Sequence, residues 1–238
     1  MSKKRILSHP AWILHHRPFS NSSMIFDIIT ADFGRISLLA KGSRSAKSRF
    51  RGILRPFMPL SISWLSRSSL GTLIDAEMKD LPLSLSGDAL ISGYYINELL
   101  LKLLHKDDAQ SEIFHLYSET IRGLINIEDL SITLRQFEIK LLELLGYALS
   151  LNEDSRTRLP IDPIKYYIYN PEMGPNIVDK KKGPMIFQGS ELIAINKQEF
   201  TCKNTLKCAN RLLRNVISHQ LGNRKLMTRK VIEELRRR

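Results

Sequence analysis

Short apolar runs separated by turn signals occupy the first 80 residues of the chain. Five of these runs are rich in β-branched and aromatic residues, which favours strands. They lie at 11–19, 24–30, 35–40, 57–64 and 72–77. Turn residues at 21–23 follow the first run, and Asp32-Phe-Gly34 predicts a hairpin between the second and third. Five short strands predict an OB-type barrel, although an SH3-like barrel would give a similar pattern.

The hydrophobic period becomes helical after Pro82. Apolar residues recur every three or four positions in four segments, and a short basic helix is expected at the end of the sequence. These helices are predicted near 86–104, 109–124, 131–146, 205–222 and 228–238. Ser86 and Ser131 are the predicted N-caps of the first and third, and Gly146 is the predicted stop of the third. Between these helices, residues 150–200 contain five prolines and only short β-prone pieces, at 166–169 and 185–187.

The elements predict an α+β protein in which a five-stranded OB-fold β-barrel precedes a mainly α-helical domain with a small irregular subdomain. We place a nucleic-acid-binding OB domain at 1–80, the helical domain at 81–149 and 201–238, and the irregular subdomain at 150–200. No uninterrupted run of about 18 apolar residues occurs, so we expect no membrane span. Cys202 and Cys208 are the only cysteines. We therefore expect a reduced, cytoplasmic protein without a disulfide framework, a metal or another cofactor.

Positive charge is concentrated at the two ends of the chain. Residues 1–80 hold 13 Lys/Arg against 5 Asp/Glu, residues 81–202 hold 12 against 17, and residues 203–238 hold 11 against 2. Segregated positive charge creates a local potential that attracts polyanions. Nucleic acid is the favoured partner, and an anionic membrane surface is the weaker alternative.

The densest basic run, Lys41–Gly52, directly follows a predicted strand and is continued by Arg55. Lys and Arg neutralise phosphates independently of sequence, and glycines allow the backbone to approach them. Binding loops of OB folds follow barrel strands in this way, so we favour a binding loop over a solvated one. Phe50 within the run could stack on a base or anchor the loop in the core.

A second cationic surface is predicted near the C-terminus, from Lys225, Arg229 and Lys230, with Arg236–Arg238 adding to it. A solvated basic helix end is an equally good interpretation. Two separate cationic surfaces would suit a protein that brings two strands together.

Catalysis finds little support in the sequence. Asp75 and Glu77 alternate along a predicted strand and so share one face, as the paired carboxylates of a Mg²⁺-dependent nuclease do. A third carboxylate and a nearby basic group would be needed, and none is evident locally. The chain also lacks the P-loop, HExxH and GxSxG motifs. We therefore expect no enzymatic activity, with a nuclease as one alternative.

Motifs in a fixed order along nearly the whole chain resemble those of the RecO family of DNA repair proteins. They are Leu14-His-His-Arg-Pro18, Gly34-Arg35, Leu38-Leu-Ala-Lys-Gly42, Pro56-Phe57, Tyr95-Ile-Asn-Glu-Leu-Leu100, Leu134-Arg-Gln-Phe-Glu138, Leu144-Leu-Gly-Tyr147, and Leu221-Gly222 through Thr228-Arg229. Many family members carry four zinc-binding cysteines after the Leu-Gly-Tyr motif, but residues 148–200 contain none. The chain therefore resembles the zinc-free variety, whose zinc-finger-like subdomain lacks the cysteines.

The resemblance implies a mediator of homologous recombination that binds single- and double-stranded DNA and anneals complementary strands. It also implies association with the nucleoid, with RecR and with the C-terminal tail of single-stranded-DNA-binding protein, and help in loading RecA. That tail is acidic and ends in a carboxylate, so we assign its recognition to Arg135, with a surface ion pair to Glu138 as the alternative. The predicted DNA-binding residues are Arg35, Lys41, Arg44, Lys47, Arg49, Arg51, Arg55, Lys225 and Arg229. An OB-type RNA-binding or ribosome-associated factor is the main alternative function.

Overall fold

The structure is a computed structural model that describes residues 4–66, 69–125 and 129–235. Contacts divide the chain into two compact units. Unit 1 comprises the described residues within Met1–Ile127 and Leu226–Arg238, and unit 2 those within Glu128–Lys225. The division into domains at 1–80, at 81–149 with 201–238, and at 150–200 rests on sequence pattern and stays a prediction.

Unit 1 is built on a closed five-stranded barrel, so the predicted α+β fold with an N-terminal OB barrel is confirmed. Its strands are β1 (Lys4–Pro18), β2 (Met24–Thr30), β3 (Gly34–Ala40), β4 (Leu60–Ser66) and β5 (Gly71–Met78). The order around the barrel is β1-β2-β3-β5-β4, and β1 also pairs with β4. All pairs are antiparallel except β3 with β5. This Greek-key closure is that of an OB fold and decides against the SH3-like alternative.

Strand β1 is longer than the sequence pattern predicted, because it begins at Lys4 and not at Ala11. Its register shifts between Ile6 and His9, where Ser8 has a φ of +54°. Such a bulge bends a strand and accommodates a proline, here Pro10, which the predicted strand excluded. The bend allows the first part of β1 to pair with β4 and the last part to pair with β2.

Helices α1 (Gly87–Leu103) and α2 (Ser111–Gly123) belong to the same unit. Ser86 is the N-cap of α1, as predicted, although its hydroxyl makes no capping hydrogen bond. A buried chain of hydrogen bonds joins the two helices to the barrel. Tyr117 Oη on α2 donates to Asn97 Oδ1 at 2.8 Å, and Asn97 Nδ2 on α1 donates to the Leu14 carbonyl at 3.0 Å. Burial raises the pKa of Tyr117, so the phenol stays a neutral donor.

Unit 2 contains three helices and a small antiparallel sheet. Its elements are α3 (Leu130–Leu144), β6 (Tyr166–Asn170), β7 (Gly174–Val178), β8 (Ile186–Gln188), α4 (Gly189–Asn196) and α5 (Lys203–Leu221). The strand order is β7-β6-β8. The predicted N-cap of α3, Ser131, was wrong: Asp129 is the N-cap, and its carboxylate accepts from the backbone N–H groups of Ser131 and Ile132. Both residue types favour N-caps, so sequence alone did not separate them.

The region predicted as irregular contains two elements that the sequence pattern missed, β7 and α4. A proline within β7 and a glycine at the start of α4 concealed them. One carboxylate joins the preceding loop to the sheet. Asp154 is only 2% exposed and accepts from the backbone N–H groups of Arg156, Thr157 and Ile177. Burial alone would raise the pKa of Asp154, but these hydrogen bonds outweigh it and lower the pKa.

The chain returns to unit 1 for helix α6 (Met227–Leu235). The Glu98 carboxylate on α1 caps the first turn of α6. Glu98 accepts from the backbone N–H groups of Met227 at 2.8 Å and Thr228 at 2.9 Å, and from the Thr228 hydroxyl at 2.7 Å. Burial alone would raise the pKa of Glu98, but these bonds and the charge of Lys102 lower it. None of the helices described is long and apolar enough to cross a membrane.

Candidate nucleic-acid interface

Six predicted DNA-binding cations lie together in the basic loop, residues 41–59, which connects β3 to β4. They are Lys41, Arg44, Lys47, Arg49, Arg51 and Arg55, and all six are exposed. The loop contains no Asp or Glu. Within the described ranges, none of these six forms an ion pair. Their positive charge is therefore not neutralised by a carboxylate of the described residues.

The loop is held on the barrel by apolar residues on its inner side. Phe50 is 6% exposed and belongs to the barrel core together with Met58. Of the two roles considered for Phe50, the structure supports core anchoring. The Arg49 guanidinium lies 4.8 Å from the Phe50 ring centroid and donates to the Ile74 carbonyl on β5. The anchor fixes the path of the loop while its cations remain outside.

Arg44 places the basic loop against the turn between β1 and β2. Its backbone N–H donates to the Ser22 carbonyl at 2.9 Å, and its Nη1 donates to the Ser20 carbonyl at 3.1 Å. In the same turn, Phe19 is 57% exposed. OB folds bind oligonucleotides through this turn and the face of strands 2 and 3, and aromatic side chains there stack on bases.

Phe19 is the candidate that sequence analysis missed, because we assigned it to the end of the first strand. The strand ends at Pro18, and the ring lies in the turn. The signal was present in the sequence: an aromatic residue stands directly before the turn segment Ser-Asn-Ser-Ser. An apolar ring at a strand end is normally core, and only the barrel geometry reveals its exposure.

Arg35 occupies a different environment from the cations of the basic loop. It is half-buried on β3, and its Nε and Nη2 donate to the Leu104 carbonyl at 3.2 and 3.0 Å. The Arg35 carbonyl also accepts from the Asp107 N–H at 3.0 Å. Burial lowers the pKa of Arg35, which the charges of Asp27 and Asp107 partly offset. Its guanidinium therefore ties the end of α1 to the barrel, and its predicted DNA contact stays a prediction.

The predicted C-terminal basic surface divides between the two units. Lys225 is exposed in unit 2, whereas Arg229 lies on α6 in unit 1. Arg229 Nη2 donates to Tyr95 Oη at 3.0 Å, and the guanidinium lies 5.6 Å from the Tyr95 ring centroid. Lys230 is exposed, and Arg236–Arg238 lie outside the described residues. Phosphate binding by this group stays a prediction.

Arg135, the predicted receptor for a partner tail, is buried within unit 2. Arg135 is 8% exposed, and its guanidinium forms an ion pair at 2.7 Å with Glu138, which is 0% exposed. A second nitrogen of the same group donates to Asn210 Oδ1 on α5. The alternative of an ordinary surface pair was wrong, because the pair exists but is buried. Recognition of a tail by Arg135 stays a prediction.

The carboxylates considered for a nuclease lie on β5, with Asp75 half-buried and Glu77 exposed. In the part of the chain that the structure describes, no three His, Cys, Asp or Glu side chains gather in a way that could hold a metal ion. A two-metal or one-metal hydrolytic centre needs such a ligand set. Among the described residues, Asp75 and Glu77 therefore have no third ligand of this kind beside them.

Comparison with known proteins assigns nearly the whole chain to one family. Residues 1–82 match the family described as "Recombination protein O N terminal", and residues 85–230 match "Recombination protein O C terminal". The chain is 41% identical over 229 residues to "DNA repair protein RecO" of Coxiella burnetii (strain RSA 493 / Nine Mile phase I), covering 96% of this chain and 99% of that protein. It is 37% identical over 236 residues to the protein of the same name in Nitrosospira multiformis, covering 98% of each. The corresponding protein of Alkalilimnicola ehrlichii is 40% identical over 240 residues, covering 100% of this chain and 95% of that protein.

Proposed function

The chain belongs to the RecO family of DNA repair proteins, and on that basis we propose that it binds single- and double-stranded DNA and anneals complementary strands. The observation that carries the proposal is the basic loop, whose six exposed cations have no ion-pair partner in the described part of the chain. Desolvated or paired cations would have lost most of their attraction for phosphate. The six cations of the basic loop are exposed and form no ion pair with the described residues, so they keep this attraction and form the primary DNA surface.

Binding through phosphates explains why little sequence preference is expected. Each Lys or Arg that neutralises a phosphate releases a condensed counterion, whichever base is attached. Phe19 adds stacking, which is tolerant of sequence because every base has a π-face. A strand held this way presents its bases to a complementary strand, and its neutralised backbone repels that strand less. Annealing then requires neither nucleotide hydrolysis nor a metal, and the protein acts without catalysis.

The family resemblance extends the proposal to partners. RecR, the tail of single-stranded-DNA-binding protein and, indirectly, RecA act together with this protein on coated single strands. For the tail to bind at Arg135, its terminal carboxylate would replace Asn210 as the second acceptor of the guanidinium, while Glu138 remains bound. A tail bound in this way would bring the annealing surface to DNA that is already coated.

The decisive experiment is annealing of two complementary labelled oligonucleotides coated with the cognate single-stranded-DNA-binding protein, in EDTA and without nucleotide. We expect acceleration that falls when the coating protein lacks its tail. A matched assay with structured RNA tests the RNA-binding alternative. No acceleration by the folded protein, together with tighter binding to RNA, would contradict the proposal.

A further inference from the structure

The outward face of α5 carries a row of cations that the proposed function has not used. Its members are exposed and recur every three or four residues. Because an α-helix turns by roughly 100° per residue, they lie within an arc of about 80° around the helix axis. They are Lys203, Lys207, Arg211 and Arg214. The opposite side of α5 packs into unit 2 through apolar residues that include Leu212 and Leu213. Helix α5 contains no Asp or Glu.

A loop with three consecutive lysines leads into β8, the strand that Arg211 of this row contacts. Lys180–Lys182 are exposed in the connection from β7 to β8. The loop folds back on β8, because the Ile186 N–H donates to the Gly183 carbonyl at 3.3 Å. The Ile186 carbonyl in turn accepts from Arg211 Nη2 at 2.9 Å, and the Arg211 guanidinium lies 4.2 Å from the Phe187 ring centroid. The turn at Gly183, directly after the lysines, and Arg211 of the α5 row are therefore both bonded to Ile186 at the start of β8.

The fold itself does not explain this accumulation of charge. Like charges at i and i+4 destabilise a helix, and Lys203, Lys207 and Arg211 follow that spacing. Among the residues described, these three and Lys180–Lys182 form no ion pair that would offset their repulsion. Arg211 is also held in place by its carbonyl and ring contacts, so its guanidinium is ordered before any ligand arrives. The Glu191 carboxylate accepts from Asn204 Nδ2 and Cys208 Sγ on α5 and offsets part of this positive charge. The exposed surplus of one sign, with Arg211 held in place in advance, is the footprint of a polyanion site.

We propose that this group, the α5 surface (Lys203, Lys207, Arg211 and Arg214 with Lys180–Lys182), is a second binding surface for the nucleic-acid backbone. The inference rests on the proposed function and deepens it: one strand is held by the basic loop of unit 1 and the other by unit 2. From Lys203 to Arg214 the helix rises about 16 Å at 1.5 Å per residue. That length matches about five phosphates of one strand at a 3.4 Å axial rise.

The two surfaces differ in what they offer to DNA. The basic loop lies beside the exposed Phe19 ring, whereas the aromatic neighbour of Arg211, Phe187, is 1% exposed and is not available to stack on a base. The α5 surface therefore contacts phosphates alone and accepts a single strand or a duplex equally. This property suits the incoming strand and the annealed product, neither of which should be held by its bases.

The test compares two triple variants of the full-length protein that remove the same charge from unit 2. The α5 variant carries Lys181→Ala, Lys203→Ala and Lys207→Ala, none of which has an ion-pair partner among the described residues. The control variant carries Lys140→Ala, Arg158→Ala and Lys165→Ala, whose side chains are exposed and already pair with Glu143, Glu153 and Asp162. Both should fold, because every substituted side chain is at the surface.

The readouts are the number of short single-stranded oligonucleotides bound per protein at low salt and the annealing rate. We expect two oligonucleotides per protein for the wild type and the control variant and one for the α5 variant, with annealing at least about tenfold slower in the latter. Acetylation footprinting should show that DNA protects Lys203 and Lys207 but not Lys140.

The outcomes separate this inference from the proposed function. If the α5 variant binds two oligonucleotides and anneals like the control variant, the inference is overturned while the proposed function stands. If the wild type binds no DNA, both fail. If the α5 variant keeps its DNA stoichiometry but loses affinity for an aspartate-rich peptide, the surface binds an acidic protein segment and the inference is overturned.

Discussion

The basic loop of the barrel and the three arginines at positions 35, 135 and 229 carry the same charge in opposite environments. In the loop, the guanidinium and ammonium groups face solvent without an ion pair in the described part of the chain. Arg135 is buried and paired with a carboxylate, and Arg35 and Arg229 are half-buried and bound to a carbonyl and a tyrosine hydroxyl. Both sets look alike in the sequence, where each is simply a basic residue in a family motif or a basic segment.

The difference separates cations that stabilise the fold from cations that remain available for DNA. A buried or half-buried arginine that is bound to a protein group loses that partner if it turns towards DNA, so its removal should reduce stability first. An exposed and unpaired cation contributes little to stability, so its removal should reduce binding alone. The first two of the following four variants test this distinction directly, and the four run from the largest expected effect to the smallest.

Arg135→Ala should cause the largest change, because it leaves the Glu138 carboxylate buried without the guanidinium. Breaking a buried ion pair from one side typically costs about 3–5 kcal/mol. Denaturant unfolding should show this loss in the free energy of unfolding. The matched control is Lys140→Ala on the same helix, which breaks the exposed pair with Glu143 and should cost less than about 1 kcal/mol. Equal stabilities for the two variants would show that the Arg135 pair does not support the fold.

Substituting Lys41, Lys47 and Arg55 together by alanine should weaken single-stranded DNA binding about a hundredfold at low salt, because three phosphates lose their cations. The side chains of these three make no hydrogen bond among the described residues, so the melting temperature should not change. Fluorescence anisotropy with a labelled oligonucleotide measures the affinity. The Lys140, Arg158 and Lys165 triple variant is the charge-matched control and should stay within about threefold of wild type. A fall of the same size in that control would assign the effect to net charge and not to the loop.

Phe19→Ala should weaken binding of single strands about tenfold, since stacking of one base on an aromatic ring is worth about 1–3 kcal/mol. Duplex binding should change little because the bases of a duplex are already stacked. Phe19→Trp should restore the affinity, which separates stacking from a change in the turn. Equal losses for single strands and duplexes would point to a disturbed turn instead.

Glu98→Gln should have the smallest effect, a loss of about 1 kcal/mol, because the capping acceptor remains but its charge does not. The folded-state pKa of Glu98 is lowered. Its contribution is therefore present above the unfolded pKa, near 4.3, and is lost as the pH falls through the lower folded pKa. Thermal unfolding of both proteins should show a difference at pH 7 that disappears in acid. A difference that grew towards low pH would contradict the assigned direction of the shift.

The barrel and the main helices could be predicted from the sequence because their signals are local. Alternating apolar spacing predicted four strands within a few residues of their observed bounds, and the basic segment between two of them indicated where the exposed basic loop lies. The start of β1 could not be predicted, because the bulge at Ser8 that carries the strand past Pro10 depends on pairing with β4. Strand β7 could not be predicted either, because it contains a proline and lies in a region without a clear hydrophobic period.

The pair of Arg135 with Glu138 could be considered from the sequence because the two are three residues apart, but its burial could not be predicted. The other partners of the three arginines lie far away in the chain. Arg35 bonds to residue 104, Arg135 to residue 210 and Arg229 to residue 95. The exposure of Phe19 likewise depends on how the barrel closes. The cationic spacing along α5 was visible in the sequence, but its connection to Lys180–Lys182 through Arg211 and Ile186 required the structure.

The most direct measurement of the central claim is the salt dependence of single-stranded DNA binding by the wild type and by the variant that lacks Lys41, Lys47 and Arg55. If the basic loop binds phosphates, the slope of log affinity against log salt should be shallower in the variant by about 2, since each lost phosphate contact contributes about 0.7. The charge-matched control should keep the wild-type slope. Identical slopes for wild type and loop variant would contradict the account, because the cations of the loop would then release no counterions on binding.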